Sequence, residues 1–196
     1  MSPDELTSVS DSGERAQLTR LQLQVIRVIM NDLLSRAMRL LSQRDHSESE
    51  LRRKLASQPF SAKGHWGKQT GRSDNEPVAD IDPKVIEQVI AYCYQHNWLD
   101  DARFATSYIN SRSRKGYGAQ RIRSELMQKG VDKELIQAAF EISEINWCLL
   151  AKEVAERKFS EILPIEWKEK AKVQRYLLYR GFFQEEIQSI YNDFVE

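Results

Sequence analysis

From residue 33 onward, apolar side chains recur every three or four positions, and each run is bracketed by a capping residue or a breaker. The spacing predicts a helix over 33–44. Ser47-Glu48-Ser49-Glu50 then reads as a capping box opening "ESELRRKLAS". Asp82-Pro83 supplies an N-cap and a first-turn proline for a helix through His96, and Asp100 caps "DARFATSYINSRS". Gly118 opens "AQRIRSELMQK", and Gly130 closes it as the residue just past a helix end. Asp132 caps "KELIQAAFEI", and Asn146 caps "WCLLAKEVAERKF". Pro164 begins a helix ending near Gly181, and a last helix runs through Tyr191. Residues 57–81 hold breakers and almost no periodicity, which predicts one long mobile loop.

Stacking these helices reveals a repeat. Ile122, Leu126, Gly130, Val131, Ile136 and Phe140 share their intervals with Val173, Leu177, Gly181, Phe182, Ile187 and Tyr191. Leu51 and Leu55 begin a third copy, in which the loop replaces the glycine turn before Val85, Ile86, Val89 and Ile90. An amphipathic helix precedes each copy (33–44, 101–114, 147–159). The expected fold is therefore all-α, an elongated array of three tandem three-helix repeats: unit 1 over 31–100, unit 2 over 101–145 and unit 3 over 146–196. Residues 1–30 form an N-terminal extension. Its first 14 residues read as a polar, disordered tail and 16–30 as a candidate helix, with Met30 a candidate biological start.

Composition changes this picture little, and charge changes it locally. The chain has 196 residues, 29 basic against 29 acidic, with 8 glycines and 5 prolines. Such neutrality argues against a protein that is basic throughout for nucleic acid, so any such role must come from a patch. Cys93 and Cys148 lie far apart in helical patterns without metal-ligand spacing, and buried reduced thiols are expected. No apolar run reaches membrane-spanning length. The N-terminus is acidic rather than basic, so no signal peptide is read and the cytoplasm is the expected compartment.

One stretch concentrates charge: "SRSRKGYG", residues 111–118. It is not a P-loop, because Lys115 precedes Gly116 and no strand leads into it. Between Arg103 and Lys133 eight basic residues face only Glu125 and Asp132. Tyr117 adds a flat amphipathic ring, and the helix opening at Gly118 offers free N–H groups that favour anions. A contact surface for phosphate or carboxylate is expected over Arg112, Arg114, Lys115, Tyr117, Arg121 and Arg123. Replacing Arg112, Arg114 and Lys115 together by Ala should weaken binding and leave melting nearly unchanged. His46, His65 and His96 are isolated, and Asp100-Asp101 is explained by capping. Trp98, Phe104, Tyr108, Trp147, Phe159 and Trp167 fall mostly at core spacing. Catalytic, cofactor and metal sites are therefore not expected.

"RDHSESELRRKL" (44–55), "LDDARFATSYINSRSRKGYG" (99–118), "RIRSELMQKGV" (121–131) and "VQRYLLYRGF" (173–182) together resemble the bacterial RecX regulatory proteins. The resemblance covers the chain from about Leu33 onward; the first 30 residues and the length of the 57–81 loop depart from it. It implies a non-enzymatic modulator that binds the RecA filament on single-stranded DNA and inhibits its ATPase, strand-exchange and coprotease activities, in DNA repair, homologous recombination and the SOS response. The implied partners are the RecA filament and single-stranded DNA, with no membrane and a monomeric state. The alternative is a free-standing nucleic-acid-binding helical module using the same basic patch.

Overall fold

The computed structural model describes residues 5–57, 81–159 and 166–192. Nine helices occur among them, and no strand: α1 Glu5–Gln43, α2 Glu48–Ala56, α3 Pro83–Gln95, α4 Asp101–Arg114, α5 Ala119–Gln128, α6 Lys133–Ile142, α7 Trp147–Lys158, α8 Trp167–Arg180 and α9 Gln184–Asn192. The expected all-α fold is thus found. In every group of three, the first helix packs on the third: α1 on α3, α4 on α6, α7 on α9. The chain divides into two compact units, residues 1–45 with 51–99, and residues 46–50 with 100–196.

Local chemistry sets the helix ends. The Asp82 carboxylate accepts from the Lys84 N–H at 2.9 Å, with Pro83 at the first helical position. Asp100 accepts from the Arg103 N–H at 2.9 Å, and Asn146 from the Leu149 N–H at 3.0 Å. Asp132 occupies the N-cap of α6 but makes no side-chain capping bond. Gly130 and Gly181 take left-handed φ of 76° and 89°, as the repeated interval required. Trp167, not Pro164, is the first residue of α8, and Pro164 lies outside the described residues, as does the 58–80 stretch expected as a loop. Residues 5–14, expected as a disordered tail, belong to α1.

The first unit is held by Leu33, Ala37, Leu51, Leu55, Val85, Ile86, Val89, Ile90, Cys93 and Leu99. Burial raises the Cys93 thiol above its ordinary pKa, which suits an unreactive core sulfur. The second unit contains two clusters. Phe104, Ile109, Ile122, Leu126, Val131, Ile136 and Phe140 centre one, and Val154, Val173, Leu177, Phe182, Ile187 and Ile190 the other. Each of these buried large side chains stabilises by roughly 1.5–3 kcal/mol.

Two core expectations fail. Cys148 is exposed, and Trp167, at the first turn of α8, is 78% exposed. In both cases the residue sits at a helix start, where a period read from the interior no longer says which side faces a neighbour.

Candidate functional site

The charged turn follows directly from the end of α4. Lys115 is its C-cap, Gly116 takes φ 76°, and the Tyr117 N–H returns to the Arg112 carbonyl at 3.2 Å. Gly118 then opens α5. Its N–H donates to the Arg180 carbonyl at 2.9 Å, and the Gln120 N–H to the Gly181 carbonyl at 3.0 Å. The first amides of α5 therefore face the last carbonyls of α8, positive end to negative end. Two of the N–H groups expected here for an anion, those of Gly118 and Gln120, are already occupied.

The six predicted contact residues separate into three sets. Arg112 and Arg121 converge on Glu125. The Arg112 Nε lies 2.7 Å from Oε2 and its Nη2 closes on Oε1, while the Arg121 Nε reaches Oε1 at 3.0 Å. Tyr108 donates its hydroxyl to the same carboxylate at 2.9 Å. Tyr117 lies between the guanidiniums, its ring centroid 4.0 Å from Arg112 Cζ and 4.6 Å from Arg121 Cζ. The Glu125 and Arg112 side chains keep only 18% and 20% of their exposure, so these groups hold the second repeat together. Arg123 lies over Phe140 at 4.0 Å and donates to Gln137 at 2.9 Å. Arg114 and Lys115 alone of the six are exposed with no ion pair among the described residues.

The network shifts its members' proton affinities. Burial raises the Tyr108 phenol, the Glu125 hydrogen bond adds to it, and the result is about 12. For Glu125, burial pulls upward, but the donors Arg112, Arg121 and Tyr108 outweigh it and hold the carboxyl below its ordinary range. For the triple alanine variant this reverses the expected melting behaviour. Removing Arg112 takes away a Glu125 partner, so that variant should melt early and cannot serve as a surface mutant.

A second polar group lies at the other end of α5. Ser47, fully buried, accepts from the Glu50 N–H at 3.2 Å and donates to the Lys129 carbonyl at 2.6 Å. Lys129 Nζ in turn pairs with the Glu50 carboxylate. Of the adjacent carboxylates, Asp100 caps its own helix, while Asp101 accepts from the Glu48 N–H at 2.8 Å. Sequence reasoning assigned both to α4. The structure divides them between two helix starts. Among the described residues no group of His, Cys, Asp and Glu is arranged to hold a metal, and no helix is long and apolar enough to cross a membrane.

Sequence reasoning missed Arg157, Lys158 and Arg180. These cations end α7 and α8 and, with Lys115, line a cleft of about 230 Å³. The available signal was positional, since α4 also ends in basic residues (Arg112, Arg114).

Fold and site together define a helical-repeat protein made of three-helix units. The RecX family models match in three places: the first three-helix domain over residues 34–62, the second over 100–139 and the third over 150–190. The chain is 99% identical over 167 residues to the regulatory protein RecX of Yersinia enterocolitica, covering 85% of this chain and all of that one. It is 76% identical over 168 residues to the regulatory protein RecX of Serratia proteamaculans, again covering 85% of this chain and all of the other. The crystal structure of RecX from Lactobacillus salivarius superposes with a TM-score of 0.64 at 17% identity, over 85% of this chain and 97% of that one. This chain belongs to the RecX family of regulatory proteins.

Proposed function

We propose that this chain regulates the RecA recombinase by binding its filament on single-stranded DNA. There it inhibits the filament's ATPase, strand-exchange and coprotease activities, acting as a cytoplasmic monomer with no chemistry of its own. Family membership supports the choice of partner. The observation that carries the site is the pair Arg114 and Lys115: two exposed cations with no ion pair among the described residues, on a turn fixed by bonds from α5 to α8. A rigid turn presents its charges without a backbone ordering cost at binding, and rim charges of this kind act mainly on association rate and its salt dependence.

The test is RecA ATPase on single-stranded DNA, titrated with the protein. Inhibition at low ratios to RecA is expected. Arg114→Ala with Lys115→Ala should weaken it severalfold while changing stability by less than about 0.5 kcal/mol per site. Full inhibition by the double variant would remove these residues from the interface. No inhibition by the unaltered chain would remove the function.

A further inference from the structure

We infer that the cleft lined by Lys115, Arg157, Lys158, Tyr176 and Arg180 is a phosphate site, and that its ligand is the backbone phosphate of a single-stranded nucleic acid. The inference deepens the proposed function and shares Lys115 with it, but its observations are separate. The cleft lies where α4, α7 and α8 all end, at Arg114, Lys158 and Arg180. Cations at helix ends have an ordinary explanation, since each C-terminus carries about half a negative charge. The α8 end is already met by the start of α5, so two such ends offset only part of four cations and roughly +3 remains. No carboxylate is among the described lining residues, and Lys115, Arg157 and Lys158 carry no ion pair among the described residues. In a chain with 29 acidic residues to match its 29 basic ones, a group of four cations with no ion pair among the described residues is a local choice.

The walls favour phosphate over other anions. Arg180 donates one N–H to the Lys115 carbonyl at 3.2 Å, which fixes its guanidinium and leaves further donors for an anion. Its Cζ lies 5.1 Å from the Tyr176 ring and 5.2 Å from the Tyr117 ring. Tyr176 is steadied in turn by Phe159, edge-on at 5.5 Å. Cations beside a fixed aromatic ring form the usual pairing for single strands, with charge on the backbone and a ring for the base. At about 230 Å³ the cleft is smaller than a drug-sized pocket and suits one phosphate and part of its nucleoside. Its floor is closed by Gly116 against Val154, where an added Cβ would sit 2.9 Å from a Val154 methyl.

The test uses the full chain without RecA and a labelled oligothymidylate, with affinity followed across a salt series. Arg157→Ala with Lys158→Ala removes two exposed cations. Affinity at low salt should fall about tenfold, and the salt slope should decrease by about 0.7 for each phosphate no longer neutralised. Arg53→Ala with Lys84→Ala removes the same charge elsewhere and should change neither. Equal losses in the two double variants, or an unchanged slope in the first, would overturn the site. So would binding of oligoglutamate in place of the oligonucleotide. Binding of dTMP or inorganic phosphate without the oligonucleotide would overturn the strand and make a free nucleotide the ligand. RecA inhibition retained by the Arg157–Lys158 variant after oligonucleotide binding is lost would leave the proposed function intact. Oligonucleotide binding without RecA inhibition by the unaltered chain would do the reverse.

Discussion

Gly118→Ala should lower the melting temperature of the second unit by roughly 10 °C or more, a loss near 3 kcal/mol. The backbone at Gly118 is ordinary, φ −81° and ψ 164°, so an alanine could adopt it without strain. The obstacle is space. An added Cβ would lie inside contact distance of the Gly181 carbonyl group and the Phe182 nitrogen, all main-chain atoms that no rotamer change can move aside. Relief requires α5 to withdraw from α8, breaking the bonds from Gly118 and Gln120 to Arg180 and Gly181. Thermal unfolding followed by circular dichroism checks this; a shift of under about 2 °C would mean that the two helix ends are not held at this separation. Gly181→Ala should be at least as damaging, because it adds a left-handed φ of 89° to contact with the Arg121 main chain.

Glu125→Gln should cost about 2 kcal/mol, despite keeping the side chain's shape. The carboxylate is the shared acceptor of Arg112, Arg121 and Tyr108, and an amide offers one oxygen and no charge. The pH dependence has a defined sign at each end. Because Glu125 titrates below its ordinary 4.5 in the folded protein, its contribution is fully present above that value and is lost as pH falls through the depressed one. Tyr108 titrates near 12 rather than 10, so its contribution is present below pH 10 and fades as pH rises toward 12. In the Gln variant the acid limb should flatten and the tyrosine titration should move back part of the way toward 10, burial still holding it up. An unchanged acid limb and an unmoved tyrosinate absorbance would show that Glu125 is not the acceptor.

Most of the fold could be read from the chain, because this architecture writes itself in local signals. Asp82, Asp100 and Asn146 cap the helices they were assigned, and the interval from Ile122 to Val131 reappears from Val173 to Phe182 with both glycines left-handed. The site was less legible. A count of cations along 103–133 weighs Arg112 and Arg114 equally, yet one lies against Glu125 and Tyr117 while the other is exposed. Only the Arg121–Glu125 spacing of four residues hinted at an internal pair. Arg157, Lys158 and Arg180 escaped for the opposite reason. Arg157 and Lys158 end α7 while Arg180 ends α8, more than 20 positions on, and only packing of the third repeat brings them to Lys115.

The meeting of α5 with α8 also makes the second and third repeats accountable to one another. The Gly118 and Gln120 amides belong to the start of a helix, where donors ordinarily face water and exchange their hydrogens quickly. Here they are sealed by carbonyls from the next repeat. Deuterium should enter those two positions only when α8 draws away, which makes them an internal timer for the parting of the two bundles while each remains folded.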